Sequence, residues 1–423
     1  MLSMRTIIFS ILPYSSHYMA SFGFAKEWKN NGYRVIFTGE LKLKELIEDE
    51  GFEFHEFQYL ISYKIRTFKS FLGVFLKTLV DKSFIRNRYR EFYSVQLSVG
   101  KLIQKYQPEH IFIDEYIAEY YFFLKRNYTQ VTIINTRFST KKVNNIPPLN
   151  SNYIPSSKWY SVVICEMLWI EHFIKLRLRN FIEKIAFIGL NEDYFWKRLC
   201  NKNNFIWNNE IAFDHCLNRS IKGIKTIILA PQSLEFKHRV LQENEVFFHK
   251  RIFRNEIKYI SEEYKSLVQK VIGFKKHPQH KVVYVAFGTL SGKEMYKVYQ
   301  FFIRLIKALE DERNILLVIS KGGLELDLPK VQNLETIQFM PQIDFLQYTD
   351  LMINHGGIGS IKECYDRDIP IIAIPINKKI DQMGCAARIE SNNLGLMGDL
   401  LKESEKSIYH KVNSILQNEV LKY

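Results

Sequence analysis

The residues best suited to chemistry lie between Thr336 and Arg388. In order they are Phe339-Met340-Pro341-Gln342, then His355-Gly356-Gly357-Ile358-Gly359-Ser360 with Glu363, then Pro375, and finally Asp381-Gln382. Glycines after a histidine let the backbone turn sharply and let an anion reach the next amides without meeting a Cβ. The first amides of a helix lack intrahelical partners and sit at the positive end of its dipole. Together these make a phosphate cradle. Ser360 adds a hydroxyl donor, His355 an imidazole donor, and Glu363, one turn on, a carboxylate suited to a sugar diol. A glycine-rich turn alone is often no more than a turn, so the surrounding order of residues carries the weight.

These residues need strands to hold them. Four-residue apolar runs such as Ile371–Ile374, and the run beginning at Leu351, suit strands buried on both faces of a parallel sheet. Ligands of such sheets sit at the carboxyl ends of the strands. The second half opens with Val282–Phe287, a strand running into Gly288-Thr289, a turn with available amides and a hydroxyl. The first half opens with a strand over Ile7–Leu12, a helix from about Tyr18 to Asn30 closed by Gly32, and a strand over Arg34–Thr38. This βαβ start puts His17 in the loop after the first strand, at a helix N-terminus. Asp114 ends another strand, His110–Asp114, where an aspartate also commonly caps a helix.

The C-terminal order resembles the donor signature of the UDP-glycosyltransferase family: aromatic-x-Pro-Gln, His-Gly-Gly-x-x-Ser-x-x-Glu, a Pro-ended strand, then Asp-Gln. The resemblance implies an α/β protein of the GT-B fold, with two Rossmann-like domains whose parallel sheets face a central cleft. It implies that Phe339 stacks near the base, with Met340 beside it, and that Gln342 and Glu363 contact the nucleoside. His355 and Ser360, with Gly356, Gly357 and Gly359, would hold the diphosphate, Gly288 and Thr289 would lie close to it, and Asp381 and Gln382 would hold sugar hydroxyls. It further implies that His17 is the catalytic base and Asp114 its partner, with Glu115 a weaker substitute. A carboxylate on the far imidazole nitrogen fixes the tautomer and stabilises the imidazolium formed during proton abstraction. The family usually has Gly where this chain has Asp368 and Asn where it has Cys385. Both positions flank the pocket, so they bear on the identity of the sugar more than on the reaction.

The implied activity is inverting transfer of a hexose from a UDP- or dTDP-sugar to a hydroxyl of a small acceptor, without metal or cofactor. The 32 Phe and 24 Tyr favour a lipophilic or aromatic acceptor. Two other readings stand beside it, a non-catalytic accessory protein that activates a partner transferase, and a nucleotide-sugar epimerase.

A length of 423 residues predicts two domains. The expected division is 1–234 for the acceptor domain, 235–280 for a linker, 281–403 for the donor domain, and 404–423 for a helix returning to the first domain. Five scattered cysteines with no CxxC spacing argue against a disulfide framework or zinc site and fit a reducing cytoplasm. No leader-like stretch or run of 18 apolar residues occurs, so a cytoplasmic protein is expected, peripheral to the membrane's inner face if attached at all. The formal charge of +14 predicts attraction to polyanions or anionic lipid. No nucleic-acid module accompanies it, so nucleic acid is not the expected partner. Asp366-Arg367-Asp368 resembles a manganese-binding motif but follows the phosphate cradle, where a helix dipole needs no metal, and the His277 and His280 pair has no other ligands near it. Two helical stripes remain, Phe68 to Leu79 and Ile170 to Ile185. Such stripes usually face a core; the alternative is an interfacial helix with snorkelling basic residues.

Overall fold

The computed structural model describes residues 5–60, 65, 67–125, 130–250, 261–288, 293–323 and 325–417. It contains two compact α/β units. The first comprises residues 1–148, 157–229 and 239–249, and the second residues 149–156, 230–238 and 250–423.

The first unit is built on a seven-stranded sheet in the order β3-β2-β1-β4-β5-β8-β9, with every neighbouring pair parallel. Its strands are β1 (Thr6–Ser10), β2 (Arg34–Gly39), β3 (Glu53–Glu56), β4 (His110–Asp114), β5 (Gln130–Asn135), β8 (Thr226–Ile228) and β9 (Glu245–Phe247). A short antiparallel hairpin, β6 (Ile211–Ala212) and β7 (Ser220–Ile221), stands apart. Alternation along the strands fills both faces. Ile8, Ile36, Ile111, Ile113 and Ile133 lie in one buried cluster. Ile7, Phe9, Val35, Phe37, Phe112 and Ile134 lie in the other. Phe9 stacks on Phe37 and on Phe112, both at 4.8 Å between centroids. Each ring so buried contributes roughly 2–3 kcal/mol.

The second unit holds a six-stranded parallel sheet in the order β12-β11-β10-β13-β14-β15. The strands are β10 (Lys281–Ala286), β11 (Ile315–Ser320), β12 (Leu334–Ile337), β13 (Leu351–Asn354), β14 (Ile371–Ala373) and β15 (Gly395–Met397). Two short segments, residues 149–156 and 230–238, belong to this unit although stretches of the first unit follow each of them in sequence. Leu149 accepts a hydrogen bond from the Gly384 amide at 2.9 Å. Glu235 receives Arg388 Nε and Nη2 at 2.7 and 2.6 Å, both groups buried, and that guanidinium also lies over the Phe236 ring at 4.4 Å.

The stretch expected to be a linker is structured on both sides of residues 251–260, which lie outside the described set. Its first part supplies β9 to the first sheet, and its second part forms helix Glu262–Phe274 in the second unit. The tail also differs from expectation. Helix Glu405–Leu416 places Ile408, Val412 and Ile415 in the second unit's core, beside helix Lys293–Leu309, where its one apolar face finds cover. Residues 418–423 lie outside the described set. Both helical stripes point outward, so their leading assignment to a core is overturned: Leu72, Leu76, Ile170, Ile174, Leu178 and Ile185 are exposed.

Gly384 shows how closely the second unit is packed, because a Cβ there would lie 2.2 Å from the Leu149 carbonyl oxygen. Backbone cannot yield cheaply, so Gly384→Ala should destabilise the protein by about 1–3 kcal/mol. Urea unfolding of the two proteins checks this, and equal midpoints would show that residues 149–156 are not held as described.

Candidate active site

In the first unit, helix Ser15–Asn30 begins two residues before His17, so this histidine stands in the first helical turn rather than in the preceding loop. Its Nδ1 lies 2.6 Å from Asp114 Oδ2. Asp114 is the last residue of β4, and its carboxylate is buried. It also accepts the Tyr116 amide at 3.0 Å and the Leu12 amide at 3.3 Å. The cap and the histidine partner are therefore one residue. Burial pushes the Asp114 carboxyl up, but His17, the Tyr116 amide and Arg137 outweigh it and hold the group below its ordinary range. An ionised carboxylate at Nδ1 places the ring proton there and leaves Nε2 as the basic nitrogen.

Three further residues support this pair. Thr136 Oγ1, just beyond β5, lies 3.1 Å from His17 Nδ1. The Tyr116 ring meets the imidazole edge to face at 4.9 Å. Arg137 spans the Tyr116 ring at 4.0 Å and donates to its hydroxyl at 2.8 Å. Glu115 is not the partner of His17. It faces Arg137 at 3.3 Å and accepts from Thr140, and burial raises its carboxyl above the usual value. Thr136 and Arg137 were missed in the sequence, although they follow a strand exit as Asp114 does.

In the second unit the exits of β10 to β13 converge. Gly288 adopts φ +67°, and a Cβ on Gly322 would stand 2.5 Å from the Gly288 carbonyl oxygen, so these two turns touch only because residue 322 is a glycine. Thr289 lies outside the described residues. Phe339, after β12, is 69% exposed and rests one edge against Gly323, while Met340 is half-buried. Gln342 starts a short helix and donates to Ser360 Oγ at 3.0 Å and Glu363 Oε2 at 2.5 Å. The Tyr284 hydroxyl donates to the Gln342 carbonyl at 3.4 Å. Gln342, Ser360 and Glu363 thus form one cluster on the first two turns of helix Ile358–Tyr365, with Gly359 exposed between them.

His355 follows β13, and the chain then reverses at Gly356, φ +79°, whose amide donates to Asn354 Oδ1 at 2.8 Å. Gly357 precedes the helix, and a Cβ there would fall 2.6 Å from His355 Nε2. Among the described residues, His355 Nδ1 and Asn354 Nδ2 are buried with no hydrogen-bond partner. Asp381 precedes helix Gln382–Ser391. The Gln382 carbonyl accepts the amides of Ile376 and Asn377 at 3.0 and 2.8 Å, so one end of this side chain is committed to the loop after β14, leaving its NH₂ for a ligand. No cluster of three metal-ligating side chains occurs among the described residues.

Burial pushes the His355 imidazolium down to about 4. The unfolded chain then takes up this proton first as pH falls, near 6.5. Stability from this group is full above pH 6.5, declines as pH falls toward 4, and changes no further below that. The loss between pH 7 and pH 5 in wild type should exceed that in His355→Gln by about 1–2 kcal/mol, as read from denaturant midpoints. Equal losses would show that His355 is not held neutral.

Known proteins resemble this chain in two ways. The glycosyltransferase family 28 C-terminal domain matches residues 285–422. Demethyllactenocin mycarosyltransferase of Streptomyces fradiae is 32% identical over 136 residues, covering 31% of this chain and 28% of the relative. Zeaxanthin glucosyltransferase of Pantoea ananas is 26% identical over 140 residues, covering 32% and 31%. The matched stretch is therefore under a third of these relatives' length. Among solved structures, the glycotransferase of kitacinnamycin superposes with a TM-score of 0.62 at 13% identity, covering 99% of this chain and 92% of that one. The glycosyltransferase VinC in complex with dTDP gives 0.57 at 12%, covering 98% and 92%. The sequence match lies over the strand exits of the second unit, where residues 285–422 resemble a glycosyltransferase C-terminal domain, and the structural likeness over the whole chain gives the GT-B fold.

Proposed function

We propose that this protein transfers a hexose from a UDP- or dTDP-sugar to a hydroxyl of a small lipophilic or aromatic acceptor, with inversion and without a metal. The observation that carries the reading is the convergence of Gln342, Ser360 and Glu363 beside the glycine turn at a helix N-terminus. Such a terminus presents amides to a diphosphate. Two buried nitrogens without partners, on Asn354 and His355, flank the same turn, and a phosphate would satisfy nitrogens that burial otherwise penalises. Phe339 offers an open ring face for a base, and Asp381 with the Gln382 amide offers polar groups for the sugar.

His17 supplies the base. Its Nε2 removes the acceptor proton as the acceptor oxygen bonds to the anomeric carbon and the bond from that carbon to the diphosphate breaks. Asp114 stabilises the resulting imidazolium, and the amides after His355 stabilise the charge gained by the leaving diphosphate. Relatives named for mycarosyl and zeaxanthin glucosyl transfer support a natural-product acceptor. The surplus of basic and aromatic residues fits an acceptor drawn from a membrane surface.

Calorimetric titration with UDP and dTDP, without added metal, tests the donor half. Binding of one of them is expected, weakened at least about tenfold in Glu363→Ala if the carboxylate contacts the nucleoside. Silence with both nucleotides would defeat the reading. His17→Ala should lower transfer by about 10²-fold or more while nucleotide affinity stays within twofold. Retained turnover would remove His17 from the base role.

A further inference from the structure

The outward stripes are the largest feature of the first unit that sugar transfer does not use. Helix Trp159–Ala186 buries Ser161, Cys165 and Trp169 on one side. On the opposite side it exposes one large apolar side chain per turn, from Trp159 through Ile170, Ile174, Leu178 and Phe181 to Ile185. Helix Phe68–Val80 packs beside it and exposes Phe68, Leu72, Leu76 and Leu79. A soluble monomer rarely leaves so continuous an apolar face in water.

We propose that these two helices dock flat on an anionic lipid bilayer. The first argument is the extent of the stripe. It runs the length of the longer helix, about 40 Å, with Trp159 and Phe181 among its exposed side chains, and the shorter helix packs beside it with a stripe of its own. A helix lying in the interface plane buries such a face along its whole length.

The second argument is charge. Residues 68–80 and 158–186 carry seven Lys or Arg against three Asp or Glu, a net +4. All three carboxylates of the longer helix are already paired: Glu166 with Lys142, Glu171 with Lys175, and Glu183 with Arg179. A second copy of this face would meet it with like charge, while acidic headgroups meet it with opposite charge. Basic side chains beside an apolar stripe with Trp and Phe are the composition of an interfacial helix. No helix among the described residues is long and apolar enough to cross a membrane, so the contact is one of lying on the surface.

Trp159 reports the contact. It is 79% exposed, whereas Trp169, Trp196 and Trp207 are buried and Trp28 is half-buried. The full-length protein, mixed with vesicles of phosphatidylcholine alone or with about 30 mol % phosphatidylglycerol, should float with the acidic vesicles only. Its emission should shift to the blue, and Trp159→Phe should abolish the shift. The combined variant Ile170→Glu, Ile174→Glu, Leu178→Glu changes only exposed positions and should reduce the bound fraction at least about tenfold, with circular dichroism unchanged. Lys175→Ser with Arg179→Ser should reduce the preference for acidic lipid. Failure to float with acidic vesicles would overturn the proposal, as would flotation unaffected by the three glutamates. So would a dimer in sedimentation velocity that those glutamates dissolve, since the face would then be an interface between copies. Each outcome is read as binding, so none depends on whether sugar transfer is observed.

Discussion

A parallel sheet delivers every strand exit to one edge, and both units of this chain concentrate their polar side chains there. In the first unit, β1, β4 and β5 end beside one another, so that Asp114 and Thr136 meet His17 although it lies 97 and 119 residues away in sequence. In the second, β10 and β13 are neighbours, which brings Gly288 against the His355 ring. Swapping the order of strands would scatter these groups while leaving every secondary-structure element intact. The buried apolar clusters that fix the order, Phe9 with Phe37 and Phe112 among them, are therefore the indirect support of these polar clusters.

The edge works only where backbone can approach backbone. Gly322 meets the Gly288 carbonyl, and Gly356 meets the Gln382 carbonyl, at distances that a Cβ would close to 2.5 and 2.9 Å. The second of these contacts sits just before helix Ile358–Tyr365, whose dipole supplies positive potential without any lysine.

Much of this was legible in the sequence because it depends on local chemistry. A glycine pair after a strand, a proline-ended strand and an aspartate at a strand exit are each visible alone, and it is their shared order, through its resemblance to the UDP-glycosyltransferases, that pairs His17 with Asp114. What was hidden depends on tertiary context. β9 is a three-residue strand in a charged stretch, too short for any periodicity to appear. Residues 149–156 and 230–238 join the second unit through backbone and one buried ion pair, which no hydrophobic pattern announces. The helical stripes illustrate the same limit from the other side. Periodicity shows that a helix has an apolar face, but whether anything covers that face is a property of the fold.

The Gln342 amide bonded to Glu363 has a consequence for turnover. A half-buried carboxylate left open for a ligand would pay for its own desolvation, but here the glutamine satisfies it. Any ligand that bonds to Glu363 would first have to displace this internal partner, so part of each new contact would replace one already made. Under the proposed function, the glutamine would act as a stand-in that limits how tightly a nucleotide is held and that returns when the spent nucleotide leaves.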